Sequence, residues 1–371
     1  MPSSRLNVLV TGGAGFIGAN FVHFWLEKNP QAKLIVLDAL TYAGNRSSLA
    51  KWESRSNFQF VQGNICDQPL VESLLLKHDI DVLVHFAAES HVDRSIPSPD
   101  AFIEANIMGT FSLLKAAKAI WLDKPAAAGL SAKAHRFHHV STDEVYGTLA
   151  AGDSAFTEQS TYAPNSPYAA SKAASDHLVR AYQQTYGLQV SSSNCSNCYG
   201  PFQFPEKLIP LIITNILHNR PIPLFGDGQQ IRDWLYVEDH VRAIELILQG
   251  DITGQRHNIG GENEWKNLDL VKYICCKMNQ LFQAKPELSQ QFPTALAARN
   301  NESEKLITHV SDRAGHDRRY AVNINRATED FGYRPSETFD TGIQRTLEWY
   351  LANQDWWQPL LPETAGGREI S

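Results

Sequence analysis

Thr142, Asp143 and Glu144 stand side by side in "VSTDEVYG", directly after a hydrophobic run. Two adjacent carboxyl groups can share acid and base work on one substrate, but only where their surroundings drive their pKa values apart, which requires a closed pocket. An arbitrary acidic pair belongs in a solvated turn. This pair follows a run that reads as a strand, and ligands of open α/β sheets bind just beyond the carboxyl ends of strands. Further on, "SPYAASKAASDHL" carries Tyr168 and Lys172, which at i and i+4 share one face of a helix opening near Ser166–Pro167. A lysine ammonium beside a phenol favours the phenolate, so the tyrosine can take a proton near neutral pH.

A second group of residues points to a cofactor. "VTGGAGFIG" places Gly12, Gly13, Gly15 and Gly18 after the first strand and at the mouth of a helix. Such glycines allow a tight turn and the close approach of a pyrophosphate to the free N–H groups of the helix. Asp38 ends "LIVLDA" about twenty residues beyond Gly18, where a carboxylate can take both hydroxyls of an adenosine ribose. It would repel a 2′-phosphate, and Ala39 supplies no neighbouring cation, so NAD is expected rather than NADP.

The elements that must hold these residues follow from the pattern. Short β-branched runs ("NVLVTG", "KLIVLDA", "FQFVQGN", "DVLVHFAA", "RFHHVST", "LQVSSSNCSN") alternate with segments of helical period, which predicts an α/β fold of Rossmann type: a doubly wound parallel sheet with helices on both faces. We assign residues 1–200 to this dinucleotide-binding part, with about 235–262 returning to it, and 201–360 mainly to a smaller lobe that holds the substrate. Trp121 to Arg136 reads as a surface connection, and 361–371 as a loose tail.

At 371 residues with 43% hydrophobic and 20% charged content, the chain can bury a full core. Its net charge of −7 is spread rather than blocked, which argues against nucleic-acid or membrane-surface binding. No run approaches the ~18 apolar residues of a membrane span, and the start is not a signal peptide, so a cytoplasmic protein is expected. Five cysteines, odd in number and irregularly spaced, suit a reducing compartment. "NCSNCYG" forms a Cys-x-x-Cys of Cys195 and Cys198, yet no second pair completes a zinc set and Cys275 and Cys276 are neighbours, so no metal is expected.

Longer motifs are more specific: "LTYAGN", "HFAAESHVDRS", "HHVSTDEVYG", "TYAPNSPYAASKAASDHLVRAY", "NCSN", "YGPFQFPEKLIPL", "IRDWLYVEDH", "NIGGENEWKN" and "GHDRRYAVN". With the glycine motif they run from about residue 7 to about residue 350, and through them the chain resembles the extended short-chain dehydrogenase/reductases and, within these, the nucleotide-sugar 4,6-dehydratases.

The resemblance implies NAD-dependent loss of water across carbons 5 and 6 of a nucleotide sugar, dTDP-glucose foremost, to the 4-keto-6-deoxy product. Carbon 4 is oxidised first, which makes the carbon 5 proton acidic. By the family pattern Tyr168 takes the carbon 4 hydroxyl proton, Lys172 holds the nicotinamide ribose, and Thr142 binds the carbon 4 oxygen. Glu144 takes the carbon 5 proton, and Asp143 protonates the departing hydroxyl. NAD is contacted by Gly12, Gly15, Phe16, Ile17, Gly18, Asp38, Thr41, Asn64, Ile65, Phe86, Ala87, Ala88, Tyr168, Lys172 and Cys198. The nucleotide sugar is held by Ser90, Thr142, Asn197, Lys207, Leu208, Pro223, Phe225, Arg232, Asn267, Arg313 and His316. Arginine suits the diphosphate because its planar fork donates to two oxygens; the alternative is a salt bridge with nearby Asp233 or Asp312, and binding is the preferred role, more strongly for Arg232 than for Arg313.

The resemblance also implies a homodimer built on two long helices, one bearing Tyr168. Departures from the family pattern are Asn64 for aspartate at the adenine amino group, Ala105 for threonine, Cys198 for a second asparagine and Ala314 for proline. Asn64 can still accept through its carbonyl, so these touch affinity rather than reaction. A 4-epimerase or a UDP-glucose 4,6-dehydratase remains open, and a non-catalytic NAD-binding regulator is disfavoured by the intact Thr142, Asp143, Glu144, Tyr168 and Lys172.

Overall fold

The structure is a computed structural model and describes residues 6–250 and 252–362. The described residues form twelve strands: β1 (Asn7–Thr11), β2 (Lys33–Asp38), β3 (Phe58–Gln62), β4 (Val82–His85), β5 (Arg136–Thr142), β6 (Val190–Cys195), β7 (Asn197–Tyr199), β8 (Ile222–Phe225), β9 (Ile231–Tyr236), β10 (Arg256–Ile259), β11 (Glu264–Lys266) and β12 (Ile307–Val310). Seven of them make one sheet in the order β10-β6-β5-β4-β1-β2-β3, parallel throughout. This is the doubly wound Rossmann-type sheet the alternation predicts.

Continuous apolar strands are explained by burial on both faces. In β1, Val8 and Val10 point to one side, where helices Phe16–Lys28 and Val237–Gln249 contribute Phe21, Trp25, Ile244 and Leu248; Leu9 points to the other, against Leu113, Leu114 and Val179. All seven residues of β5 are buried, so its last residue, Thr142, is delivered rigidly to the rim of the sheet. The chain runs outward from β1 through β2 to β3 and then crosses back to place β4 on the opposite side of β1. That reversal opens a crevice at the carboxyl ends of β1 and β4.

A second core gathers Ile209, Ile213, Ile274, Met278, Leu347 and Trp357 from helices Leu208–Leu217, Asn267–Ala284 and Phe339–Ala352 and the segment after them. It is bordered by two small sheets, β11-β9-β7 and β12-β8. Between the small sheets the chain revisits the large one, with Val237–Gln249 packed on Phe16–Lys28 and β10 paired to β6.

Two readings need correction. Trp121 is not part of a surface connection: it is buried, donates from Nε1 to the Ile80 carbonyl at 3.1 Å and stacks on His135 at 4.8 Å, and only 126–132 are continuously exposed. The run "LQVSSSNCSN" is not one strand, because β6 ends at Cys195 and Asn197 starts β7 in a different sheet. Of the expected tail, 363–371 lie outside the described residues, while Leu361 packs against the second core. No helix among the described residues is long and apolar enough to cross a membrane.

Candidate active site

β1 enters the crevice through Gly12, whose φ of +71° suits glycine; a Cβ there would lie 2.5 Å from the backbone nitrogen of Ala87. One turn into helix Phe16–Lys28, a Cβ on Gly18 would lie 2.2 Å from the Gly12 carbonyl oxygen, so strand and helix meet at a distance only glycine permits. Gly15 caps this helix without a side chain, leaving its first N–H groups free for an anion. Asp38 closes β2 beside them. Its two carboxylate oxygens accept from Ala14 N at 2.9 Å and Leu40 N at 2.8 Å; burial raises its pKa, and these two donors oppose the rise. A glycine cradle, free helix N–H groups and an oriented carboxylate fit a dinucleotide carrying an unsubstituted ribose.

At the other end of the same cavity, of ≈ 490 Å³, β5 passes into a single tight helical turn, Asp143–Tyr146. Thr142 caps it: its hydroxyl oxygen accepts from Glu144 N at 3.2 Å and the hydroxyl donates to Asp143 Oδ1 at 3.3 Å. From β6, Asn194 Nδ2 donates to the Thr142 carbonyl at 2.9 Å and locks the strand end. Gly147 then turns the chain away at φ +89°, where any Cβ would meet the Ala163 carbonyl oxygen at 2.4 Å.

The two carboxyl groups occupy different electrostatic surroundings. Burial, followed by the charges of Glu144 and Asp233, pushes Asp143 well above the ordinary carboxylate range. Burial also raises Glu144, but Arg232, Arg313 and Lys207 all pull it back. Glu144 is therefore the first of the pair to ionise, and Asp143 the one that keeps a proton.

Tyr168 and Lys172 lie on helix Pro167–Tyr186, which Ser166 caps by accepting from Ala169 N at 3.1 Å. Burial and the charge of Glu144 push the phenol well above its ordinary value, against the hydrogen bond from Thr142. The Lys172 ammonium donates to the Val140 carbonyl at 2.9 Å, and burial lowers its pKa while Asp176 raises it.

Every residue that the family pattern assigns to catalysis, NAD or the nucleotide sugar lines this one cavity, whereas Gly13 of the glycine motif does not. Arg232 is buried, lies 4.3 Å over the Tyr320 ring and donates to the carbonyls of Ile231 and Asp317. It does not pair with Asp233, because neighbours on a strand face opposite ways and Asp233 accepts from Gly261 N and Asn263 N. Arg313 pairs with Asp93 rather than Asp312, which binds His316 at 2.6 Å. Lys207 Nζ reaches the Ser90 carbonyl at 3.0 Å. Asn64 Oδ1 accepts from Cys66 N at 2.9 Å, so the carbonyl expected to meet adenine is already engaged. Asp143 Oδ2, Asn197 Oδ1 and Asn267 Oδ1 are buried along the cavity with no partner among the described residues, as acceptors for a ligand would be.

Residues 9–346 match the family model described as GDP-mannose 4,6 dehydratase. A dTDP-glucose 4,6-dehydratase of Escherichia coli is 47% identical over 98% of this chain and 99% of its own length. The chain belongs to the nucleotide-sugar 4,6-dehydratase family.

Another dehydratase of this family, from Neisseria gonorrhoeae and named for dTDP-glucose, is 50% identical over 94% of this chain and 97% of its own. Among solved structures, a dTDP-glucose 4,6-dehydratase of Streptomyces venezuelae with NAD and dTDP bound is 42% identical, with a TM-score of 0.81 over 96% of this chain and all of its own. A UDP-glucose 4-epimerase of Thermotoga maritima solved with UDP-glucose shares the scaffold at 25% identity and a TM-score of 0.77, over 94% of this chain and all of its own. The site also includes groups the sequence did not mark. Asp176 accepts from Tyr162 at 2.5 Å and bonds His139 at 3.1 Å, behind Lys172. Its position at i+4 from Lys172 was the available signal. Tyr320 and Asp93, brought in by long-range packing, had none.

Proposed function

We propose that the chain catalyses NAD-dependent dehydration of dTDP-glucose to dTDP-4-keto-6-deoxyglucose. The observation that carries this reading is the split of one carboxyl pair into a group that ionises, Glu144 among three cations, and a group that keeps its proton, Asp143. Elimination across carbons 5 and 6 needs this combination, a base for the carbon 5 proton and an acid for the departing carbon 6 hydroxyl. Each such role is worth about 10²–10⁴ in rate.

Gly12, Gly15, Phe16, Ile17 and Gly18 would hold the diphosphate end of NAD, Asp38 and Thr41 its adenosine ribose, Asn64 and Ile65 its base, and Phe86, Ala87, Ala88, Lys172 and Cys198 its nicotinamide half. Bound NAD supplies a reversible hydride acceptor, together with a positive ring charge that offsets the burial-raised phenol. Tyr168, with Thr142 beside it, takes the hydroxyl proton as carbon 4 is oxidised. Glu144 removes the carbon 5 proton and Asp143 protonates the leaving hydroxyl; as hydride is returned to carbon 6, Glu144 gives a proton back to carbon 5, and the proton held by Tyr168 passes through solvent to restore Asp143. Arg232, seated on Tyr320, and Arg313 neutralise the diphosphate; Lys207, Asn197, Asn267, Ser90, Leu208, Pro223, Phe225 and His316 complete the wall around the nucleotide sugar. The large sheet thus serves the cofactor, and the lobe around the second core serves the sugar nucleotide.

Sugar deuterated at carbon 4 tests the reading. The label should appear at carbon 6 of the product; retention at carbon 4, as in an epimerase, or loss to solvent sinks it. Running dTDP-glucose against UDP-glucose fixes the base, since the thymine methyl is worth only about 1–3 kcal/mol. The homodimer is supported by Ile103, Met108 and Tyr186, each 46–52% exposed, on the adjacent segments Ile103–Lys118 and Pro167–Tyr186. Sedimentation velocity at micromolar concentration should give twice the chain mass. Five unpaired thiols support assignment to the reducing cytoplasm.

A further inference from the structure

We propose that Cys195, Cys198 and His240 form a Zn(II) site in the wall of the catalytic cavity. Cys195 ends β6, Cys198 sits in β7, and His240 lies in helix Val237–Gln249, so each donor is held by a regular element rather than a loop. Sγ of Cys195, Sγ of Cys198 and a ring nitrogen of His240 all lie within 4.8 Å of one another. The Cys198 Sγ to His240 Nδ1 separation is 3.4 Å. A tetrahedral zinc with Zn–S of about 2.3 Å and Zn–N of about 2.0–2.1 Å has ligand-to-ligand edges of about 3.5–3.8 Å. The cluster matches one edge as it stands and needs shifts of about an ångström or less on the others.

The Cys-x-x-Cys read from the sequence lacked further donors; the fold supplies a third one, His240, from 42 residues beyond Cys198. His240 is fully buried, and among the described residues its Nδ1 meets only the Cys198 thiol. The thiols themselves reach the carbonyls of Ser141 and Ser196 at 3.4 and 3.6 Å, contacts a weak S–H donor gives up readily. On binding, two S–H bonds break, two S–Zn bonds form and two protons leave to solvent. One dication replaces two protons, so the buried cluster gains no net charge, which removes the main penalty of an interior ion. Two thiolates and an imidazole select a soft, tetrahedral cation over Mg(II) or Ca(II). Cys195 and Cys198 line the catalytic cavity, and His240 completes the cluster from helix Val237–Gln249.

The binding test does not depend on the reaction assigned above. Full-length NAD-loaded protein, its thiols reduced, is dialysed against Zn(II) and then freed of loose ion, and metal is counted by plasma mass spectrometry. One zinc per chain is expected, and Co(II) in its place should show a thiolate-to-cobalt charge-transfer band. Cys198→Ser and His240→Gln should each weaken zinc binding on the order of 100-fold or more, with folding followed by circular dichroism. Wild-type protein that retains less than half a zinc per chain overturns the proposal, as does a cobalt complex without the thiolate band, which needs no variant. Zinc retained unchanged by both variants, or a Cys195–Cys198 disulfide whose reduction restores no zinc binding, does the same.

Discussion

Arg313 and Asp93 meet in an ion pair, Nη1 to Oδ1 at 2.5 Å, although 219 residues separate them in the chain and both line the cavity that the diphosphate would enter. A diphosphate must therefore take Arg313 from Asp93. Because Asp93 is 42% exposed, the pair is worth at most about 1 kcal/mol. Asp93→Asn should lower KM for the nucleotide sugar by about 2–5-fold, while Arg313→Ala raises it about 10–100-fold, both with kcat much less affected. Steady-state kinetics of the two variants check this; equal effects on kcat and KM would contradict it.

Glu144→Gln removes the base and keeps the shape. Overall turnover should fall about 10²–10⁴-fold. Oxidation at carbon 4 should persist, because Tyr168 and the cofactor cradle are untouched. Single-turnover absorbance of reduced nicotinamide, appearing and then lingering, reads this directly.

Asp143 couples activity to stability through pH. Its folded pKa is raised above the unfolded value of 3.8, so its contribution to stability is fully present below that pH and is lost as pH rises through the folded value. At neutral pH the folded protein bears the cost of a buried carboxyl. Asp143→Asn should therefore raise Tm near pH 8 by a few degrees, for a gain of about 1–2 kcal/mol, and the gain should vanish below about pH 4. Turnover should drop in the same variant. Calorimetry at the two pH values is the measurement, and a pH-independent shift would contradict the account.

Asn64 Oδ1 accepts from Cys66 N, so the one side-chain oxygen must serve both that donor and an adenine amino group. An aspartate could satisfy both with its two oxygens. Asn64→Asp should tighten NAD binding about 5-fold, equivalent to about 1 kcal/mol, by calorimetric titration.

The legible features were those encoded within a few residues of one another. Gly12, Gly15 and Gly18 with Asp38 report a strand, a turn, a helix and the next strand, all contiguous. Tyr168 and Lys172 share a face because of helical period alone. Trp121 was misread because the alanine-rich stretch after it looks like a surface connection, whereas its ring fills space under Ile80 and His135. Where the Lys172 ammonium points could not be read from the i, i+4 spacing, because its contact with the Val140 carbonyl comes from packing against β5.

By itself, the order of residues determined the parallel sheet, the cofactor cradle and the presence of Asp143 and Glu144 at a strand end, since each rests on local periodicity and chain geometry. Only the tertiary structure decided which of the two carboxyl groups keeps its proton. That outcome depends on Arg232, Arg313 and Lys207 facing Glu144 from the other lobe and on Asp233 facing Asp143. Charge interactions follow distance and burial in space, and folding brings these residues together from parts of the chain that no short motif connects.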